Sequence, residues 1–317
     1  MVGPRESHVT VLLSTFDGAR WLPDLLESVR NQTHADWTLL ARDDGSTDDT
    51  MAILEAAAAA DPRIQVVTDR AGNLGPTASF LSLLAQVNDG FFAFCDQDDI
   101  WHPHKLDTSI GALAIDDPGE APGDPIAAVY TDARVVDGAG ELLHASALAQ
   151  RGTPDEIPYG RLLINNVAIG ATVVGTAGLA KRAIALADGV DVLWHDWWIA
   201  LVAGHDGKLT GCPQATMDWR RHGETVTGAT PAGVAERARR RRRYLAFSVA
   251  AAKRLAAEPA GANPDAHTAA IELARLDPSH PTARGLLRAW RRAGVRAWPL
   301  RGQIGLLSSV VMGRTDQ

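Results

Sequence analysis

The stretch FFAFCDQDDIWHPHKL, residues 91–106, passes without interruption from an apolar run into Asp96, Gln97, Asp98 and Asp99. The apolar run predicts a buried strand, which ends where the carboxylates begin. Three carboxylates within four residues repel one another, and they stay ionised only in water or beside a cation. They are therefore either a solvated turn or part of a binding site.

The same sequence of apolar strand, polar loop and helix occurs three times before residue 91. We predict strands at 8–14, 37–41, 64–68 and 91–95, and helices at 21–32, 50–60 and 78–87. This alternation indicates the α/β class, with a parallel sheet covered by helices on both faces. Right-handed crossovers bring the loops after the strands to one sheet edge, where open α/β sheets bind ligands. STFDGAR, RDDGSTDD, GNLGP and DQDD should therefore converge on one crevice.

Two common nucleotide-binding motifs are absent from these loops. None contains GxGxxG or GxxxxGK[ST], which removes the main support for a dehydrogenase or a P-loop ATPase. Clustered carboxylates suit Mg²⁺ or Mn²⁺, ions that take one or two protein carboxylates and complete their coordination with water and substrate phosphates. A nucleoside diphosphate bound through a metal fits this pattern.

Several longer segments of the sequence resemble a known enzyme family. VTVLLSTFDGARWLPDLLESVRNQT, WTLLARDDGSTDDT, GNLG and FCDQDDIWHPHKL closely resemble, in this order, the N-terminal half of glycosyltransferase family 2. The resemblance covers about residues 8–110 and resumes with YTDARVVDGAGELL, NNVAIGATVVG, WHDWW and WRRHGETVTG. It is strongest to the bacterial rhamnosyltransferase-like members that build cell-surface polysaccharides. It implies the GT-A fold, a Rossmann-like and mostly parallel sheet flanked by helices, here with a helical C-terminal extension.

The resemblance also implies residue roles at the donor end. The residues expected to contact the nucleotide sugar there are Ser14, Thr15, Phe16, Asp44, Asp96 and Gln97. The first three should cover the base and ribose, Asp44 should hydrogen-bond the base, and Asp96 should lie near the ribose. Asp98 matches the carboxylate that binds the metal, Mn²⁺ or Mg²⁺, on the diphosphate. Asp99 either joins this site or caps the segment that follows it.

A second group lies in VLWHDWWIALVAG, residues 192–204. Its tryptophans recur at helical spacing, which is typical of core packing. Asp196 is different, because a carboxylate among three indoles needs a partner or a task. By resemblance it is the general base that takes the proton from the acceptor hydroxyl, and a position at the start of a helix favours its ionised form. A simple capping role for Asp196 is the alternative.

The third group is MDWRRHGETVTG, residues 217–228. The family pattern here is Tyr-Arg-Gln-His-Gly with a following Asn, so Trp219, Arg221 and Thr225 depart from it. Arg220 and His222 keep it. The resemblance implies that Arg220 approaches the phosphates or the base helix and that His222 approaches the metal or the diphosphate, although a lone histidine is more often structural. The departures bear on sugar specificity more than on the reaction.

Charge divides the chain into two parts. Residues 219–317 hold 18 Lys and Arg against 7 Asp and Glu, while the rest of the chain is strongly acidic. We predict a catalytic domain at 1–228, with its nucleotide-sugar part at about 8–110 and its acceptor part at about 125–228. A basic helical region should follow at 229–317.

Arg and Trp interleave after about Arg284, which favours contact with an anionic membrane over nucleic acid because acceptors of such enzymes are commonly lipid-linked. The alternatives are a helical cap on the catalytic domain and a solvated Arg-rich helix.

Two further features bear on location. No apolar run reaches the roughly 20 residues of a membrane-spanning helix, and two cysteines suit a reducing compartment. We therefore expect a cytoplasmic protein, located peripherally on the inner face of the cell membrane if the basic region binds there.

The function expected is that of an inverting, metal-dependent glycosyltransferase. It would move a sugar from dTDP-rhamnose or a UDP-sugar to a saccharide or lipid-linked acceptor in cell-envelope polysaccharide synthesis. A nucleotidyltransferase and an inactive nucleotide- or carbohydrate-binding module are the alternatives.

Overall fold

The computed structural model describes residues 8–69, 71–113, 124–154, 157–222, 234–277 and 291–292. Within these ranges the chain forms an α/β fold on one sheet of nine strands. The strands are β1 (Val9–Thr15), β2 (Trp37–Asp43), β3 (Ile64–Val66), β4 (Phe91–Asp96), β5 (Ile100–Trp101), β6 (Ala127–Asp137), β7 (Leu142–His144), β8 (Val173–Thr176) and β9 (Lys208–Arg221). The helices are α1 (Leu22–Arg30), α2 (Thr50–Ala60), α3 (Pro76–Leu84), α4 (Lys105–Leu113), α5 (Ala147–Arg151), α6 (Tyr159–Leu162), α7 (Ala177–Ala187), α8 (His195–Asp206), α9 (Val234–Ala256) and α10 (Pro264–Ala274).

The N-terminal half of the sheet is parallel, in the order β3-β2-β1-β4. All four strands lie where the sequence predicts them. In β4 the first five residues are buried and only Asp96 is partly exposed, so the change from apolar to acidic residues coincides with the end of the strand. The predicted convergence of the loops after β1, β2 and β4 follows directly from this parallel order.

Helix α3 begins at Pro76, two residues before the predicted start. Gly75 precedes it with φ 77°, a left-handed conformation that glycine adopts without steric cost. Proline fits the first turn of a helix because the amide hydrogen that it lacks would have no partner there. The GNLGP segment is therefore the loop into α3, which carries its glycine to the same edge as the strand ends.

The second half of the sheet is mixed and closes over this edge. Its order continues from β4 through β8, β6 and β9 to β5, with β8 antiparallel to both of its neighbours. The long strand β9 runs parallel to β6 and antiparallel to the short β5, where Ile100 faces Asp218. Because β5 follows the DQDD loop directly, this pairing holds the end of β9 beside the carboxylates.

Helix α8 lies in the hydrophobic core and carries the tryptophan-rich segment. Trp197 and Trp198 are fully buried, and their indole nitrogens donate to the carbonyls of Leu162 and Ala183 at 2.7 and 3.0 Å. This confirms core packing for these two side chains. Apolar residues of α9 and α10 belong to the same cluster, so the described part of the helical C-terminal extension packs against α8.

The division at residue 228 remains a prediction. The expected membrane-contacting segment from about Arg284, with Trp290 and Trp298, lies outside the described residues, as do Gly223 and Thr225. In the part of the chain that the structure describes, each helix is too short or too polar to cross a membrane.

Candidate functional site

A cavity of about 1000 Å³ opens at the carboxyl ends of β1, β2 and β4 and extends to the start of α8. It brings together all but one of the site residues predicted from the sequence. Those that line it are Ser14, Thr15, Phe16, Asp44, Asp96, Gln97, Asp98, Asp196 and His222. Arg220 is the exception. The predicted donor, metal and base residues thus meet in one place although they come from both halves of the chain.

The loop after β1 is held by Gln97. The side-chain oxygen of Gln97 accepts from the Phe16 backbone at 2.8 Å, and its amide nitrogen donates to the Phe16 carbonyl at 2.9 Å. A Cβ on Gly18 would come within 2.2 Å of this oxygen, so the close approach requires glycine. The phenyl ring of Phe16 remains 48% exposed on the cavity wall. Gln97 therefore presents Phe16 to the cavity through two backbone hydrogen bonds.

Ser14 and Thr15 already have partners within the protein. The hydroxyl of Ser14 donates to that of Ser79 at 2.7 Å, and the hydroxyl of Thr15 donates to Asp43 at 3.0 Å. Each hydroxyl oxygen keeps acceptor capacity toward a ligand. Their contact with a base or ribose remains a prediction.

Asp44 is buried and fixes the loop that precedes α3. Its two carboxylate oxygens accept from the Leu74 and Gly75 backbone amides at 2.7 and 2.8 Å. The guanidinium of Arg42 forms an ion pair with it at 2.5 Å and also contacts Asp69, and both contacts raise the pKa of Arg42 against the opposing effect of burial. The predicted hydrogen bond to a base would therefore use a carboxylate that already holds the wall of the cavity.

The DQDD carboxylates differ in environment. Burial, followed by the charges of Asp98 and Asp196, raises the pKa of Asp96 to about 7. Asp98 contacts His222 Nε2 through its Oδ2 at 2.8 Å. Asp99 is buried, and its Oδ1 accepts from the Arg220 backbone at 3.1 Å. Its other oxygen has no partner among the described residues, and burial, followed by the charges of Asp98 and Asp96, raises its pKa well above the usual range.

Asp99 was expected either to join the site or to cap the segment that follows it. It neither lines the cavity nor caps α4, because its hydrogen bond reaches across to β9. Asp99 therefore joins the DQDD loop to the strand that carries His222.

Arg220 lies behind the cavity wall and does not line it. Its side chain is 5% exposed, and its guanidinium donates to the carbonyls of Asp98 and Gly138 at 3.0 and 3.2 Å. It also lies 4.5 Å from the centroid of the Trp21 ring, within cation–π range. The structure thus gives Arg220 contacts that position the DQDD loop. Arg220 therefore supports two residues that line the cavity, Asp98 and Trp21, and its predicted approach to the phosphates or the base helix remains a prediction.

The residues present fit a metal that is shared with substrate. Within the described ranges, no group of three or more His, Cys, Asp and Glu is arranged to hold a metal by itself. Asp98 and His222 offer one oxygen and one nitrogen ligand on the cavity wall, and they face each other at 2.8 Å. Mg²⁺ and Mn²⁺ bound to nucleotide phosphates need few protein ligands, so this pair suits an ion whose remaining ligands come from a diphosphate and water.

Asp196 lies in the first turn of α8, as predicted. Its Oδ1 accepts from the backbone of Trp197 at 2.7 Å. Its Oδ2 lies 3.5 Å from the place where a Cβ of Gly170 would be, so glycine at that position leaves this oxygen room. The cavity gives the carboxylate access to a ligand.

His195 was not anticipated from the sequence. It stacks on Phe80 with ring centroids 4.1 Å apart, and burial lowers its pKa to about 4. Neither of its ring nitrogens has a hydrogen-bond partner among the described residues. It is therefore a neutral imidazole in the cavity wall beside Asp196. Its position next to Asp196 in WHDWW was the available signal.

The cavity is also lined by residues that the sequence did not indicate. Arg151 of α5 and Arg161 of α6 line it together with Trp219 and Tyr244. Arg151 faces the solvent-filled cavity, yet enough protein surrounds it that burial lowers its pKa, an effect opposed by the charge of Asp196. No local pattern marks these residues, because α5 and α6 reach the cavity only through tertiary packing.

Comparisons with known proteins agree with this geometry. Residues 10–119 match the family model described as glycosyl transferase family 2. A β-1,3-glucosyltransferase of Escherichia coli, WfgD, which by its name uses UDP-Glc and a GlcNAc-diphosphoundecaprenol acceptor, is 27% identical over 52% of this chain and 58% of its own length. The dTDP-rhamnosyl transferase RfbG of Shigella flexneri is 30% identical over 32% of this chain and 36% of its own length. These matches span less than two thirds of either relative.

A solved structure extends the likeness over nearly the whole chain. The mannosyltransferase PcManGT of Pyrobaculum calidifontis, in complex with GDP-Man and Mn²⁺, superimposes with a TM-score of 0.56 at 16% identity. The superposition covers 97% of this chain and 81% of that one. At this identity the likeness concerns the fold, and it confirms the GT-A architecture expected from the sequence. The match identifies residues 10–119 as a glycosyl transferase family 2 domain, which confirms the resemblance found in the sequence.

Proposed function

We propose that this protein is an inverting, metal-dependent glycosyltransferase that uses a nucleotide-sugar donor. The observation that carries the proposal is the cavity in which Asp98 and His222 face each other while Asp96 and Asp196 lie close enough to interact electrostatically. A metal-binding pair and a candidate base in one cavity match the two requirements of the reaction. A leaving diphosphate must be neutralised, and an acceptor hydroxyl must lose its proton.

The donor binds at the end of the cavity formed by β1 and β2. Phe16 offers an exposed ring to the base or ribose, in a position fixed by Gln97. Asp44 holds the opposite wall through the backbone of Leu74 and Gly75 and retains lone pairs for a base. Ser14 and Thr15 complete this end. A pocket that is largely formed before binding reduces the entropic cost of ordering on association.

The diphosphate lies at Asp98 and His222, where the residues fit Mn²⁺ or Mg²⁺. The chemistry that such an ion supplies is neutralisation of the negative charge on the diphosphate as it leaves the anomeric carbon. Arg220 and Asp99 act as positioning residues, because they fix the DQDD loop and β9 relative to each other.

Asp196 accepts the proton of the acceptor hydroxyl. The hydroxyl oxygen attacks the anomeric carbon from the face opposite the diphosphate, and the C–O bond to the diphosphate breaks. A single displacement of this kind inverts the configuration. Asp196 keeps one oxygen on the Trp197 backbone and leaves the other beside Gly170, available for the proton.

The named relatives support a role in cell-envelope polysaccharide synthesis, with dTDP-rhamnose or a UDP-sugar as donor and a saccharide or lipid-linked acceptor. The protein would act in the cytoplasm, at the inner face of the membrane. Basic residues near the cavity support this location. Directly before Tyr244, helix α9 exposes Arg239, Arg240, Arg242 and Arg243. Each basic residue near an anionic leaflet contributes about 1 kcal/mol, which is enough in sum for reversible binding.

Vesicle co-sedimentation tests the membrane contact. Changing these four arginines of α9 to glutamine should reduce sedimentation with anionic vesicles, and raising the salt concentration should do the same to the wild type. Neutral vesicles are the control. Sedimentation of wild type and variant to the same extent would remove α9 from the contact and leave the region after Arg284 as its candidate.

Titration calorimetry with UDP or dTDP and Mn²⁺ tests the central proposal. Asp98→Ala should lose the metal-dependent part of the affinity while the fold persists, because the side chain lies at the cavity surface. Asp89→Ala, an exposed carboxylate in the loop before β4, is the matched control. Undiminished metal-dependent affinity in Asp98→Ala would contradict the assignment.

Product analysis separates the alternatives. Release of nucleoside diphosphate and sugar from a nucleotide sugar supports the transferase. Release of pyrophosphate from a nucleoside triphosphate and a sugar phosphate would indicate a nucleotidyltransferase. Binding without turnover of any donor in a nucleotide-sugar panel would indicate an inactive module.

A further inference from the structure

Two arginines lie over the indole of Trp219, which lines the cavity, and a third arginine lies beside them. The guanidinium carbons of Arg151 and Arg221 lie 5.3 and 5.7 Å from the centroid of its ring. The guanidinium of Arg161 donates to the carbonyl of Gly152, the residue after Arg151, at 3.5 Å. The cluster therefore draws cations from α5, α6 and the end of β9, which are distant in the sequence.

In the described part of the chain, these three arginines have no direct ion-pair partner. Elsewhere in those ranges many arginines form ion pairs, such as Arg42 with Asp44 and Arg134 with Asp218. No ion pair within 4.0 Å joins Arg151, Arg161 or Arg221 to a described carboxylate. Like charges held together repel one another, and the charge of Arg221 contributes to lowering the pKa of Arg151. Cations that are gathered without a directly paired carboxylate have the electrostatic character of an anion-binding site.

The position of the cluster assigns it to the acceptor and not to the donor. Arg151 is close enough to Asp196 to interact electrostatically, and Trp219 and Tyr244 line the same part of the cavity. The proposed donor residues Ser14, Thr15 and Asp44 come instead from the ends of β1 and β2 or directly follow them. Trp219 and Arg221 are also two of the positions at which this chain departs from the family pattern, so the cluster belongs to this chain's own specificity.

We infer that Arg151, Arg161 and Arg221 form an anion subsite that binds the diphosphate group of a lipid-linked acceptor. The inference rests on the proposed function, because it requires Asp196 to mark the place of the acceptor hydroxyl. Guanidinium groups offer forked donors that match phosphate oxygens. The aromatic walls of Trp219 and Tyr244 suit the sugar that lies between the diphosphate and Asp196.

Calorimetric titration of the full-length protein with a short-chain alkyl diphosphate, in EDTA, tests this subsite. Arginine needs no metal to bind phosphate, whereas the donor end is proposed to need one. We expect the alkyl diphosphate to bind and the corresponding alkyl alcohol not to bind. Arg151→Gln/Arg161→Gln should weaken binding about 10- to 100-fold, from the strength of hydrogen bonds between charged groups. Inorganic pyrophosphate, as a second ligand, separates recognition of the phosphates from recognition of the chain.

The matched control is Arg275→Gln, an exposed arginine at the end of α10 that lies outside the cavity. It should bind the alkyl diphosphate like the wild type. Equal affinity of the double variant and the wild type would overturn the inference, as would equal binding of the alcohol or displacement of the alkyl diphosphate by UDP or dTDP in EDTA. UDP or dTDP with Mn²⁺ should bind wild type and double variant alike. Failure of that nucleotide binding in the wild type would instead contradict the proposed function.

Discussion

Replacing Asp196 with asparagine removes a proton acceptor and keeps the contact that the side chain makes in α8. The Oδ1 of Asp196 accepts from the Trp197 backbone at 2.7 Å, and the amide oxygen of asparagine can accept the same hydrogen bond. The second oxygen, beside Gly170, becomes an NH₂ group of nearly the same size. The start of the helix should therefore be preserved, and the substitution should affect only the transfer of the proton.

The expected loss is in the rate of transfer. A positioned general base contributes roughly 10²- to 10⁴-fold to a rate, and an uncharged amide cannot take the proton. Donor affinity should not fall, because Asp196 makes no contact with the residues that hold Phe16 or Asp44. Its charge also adds to that of Asp98 in opposing the ionisation of Asp96, so its removal relieves repulsion in the cavity.

The assay is release of nucleoside diphosphate from a panel of nucleotide sugars with Mn²⁺, with water as the acceptor, together with calorimetry of nucleotide binding. Asp191→Asn, in the exposed loop before α8, is the matched control and should retain the wild-type rate. Turnover of Asp196→Asn close to the wild-type rate would refute the base assignment. Loss of nucleotide binding in the same variant would show that its effect is not confined to proton transfer.

Three other perturbations have defined outcomes. Asp44→Ala should lower the free energy of unfolding in urea by about 3 kcal/mol, the low end for breaking a buried ion pair, while Asp69→Ala, whose carboxylate is partly exposed, should cost less than about 1 kcal/mol. Between pH 6.5 and 4, His195 is protonated in the unfolded state but neutral in the folded state, where its pKa is about 4. Wild-type stability should therefore fall as the pH drops through this window. His195→Phe should lack this pH dependence. In urea unfolding, the difference in free energy of unfolding between wild type and variant should change by about 3 kcal/mol from pH 6.5 to pH 4. A difference that stays constant over this range would contradict the prediction. Gln97→Ala should weaken nucleotide binding by about tenfold, because it removes two hydrogen bonds to the loop after β1. The control Gln65→Ala, at an exposed position, should leave binding unchanged. Equal affinities of Gln97→Ala and wild type by calorimetry would exclude this role of Gln97.

The sequence by itself determined the sheet edge and the carboxylates placed on it. The β/α alternation up to residue 96 is a local signal, because the side-chain period of each segment reports which face is buried. Strand ends such as Asp96 could therefore be predicted closely, and right-handed crossovers implied that the loops meet. The resemblance supplied Asp98, Asp196 and His222, which the fold brings into one cavity.

Tertiary structure decided which groups these residues contact. Asp98 and His222 are 124 positions apart, and their contact depends on the register between β5 and β9. The same register turns the guanidinium of Arg220 into the protein, and no local pattern reports a register set by distant strands. Arg151 reaches the cavity through a five-residue helix whose place depends on packing alone. Periodicity fixes the direction of a side chain relative to its own segment, whereas its partner depends on how separate segments pack together.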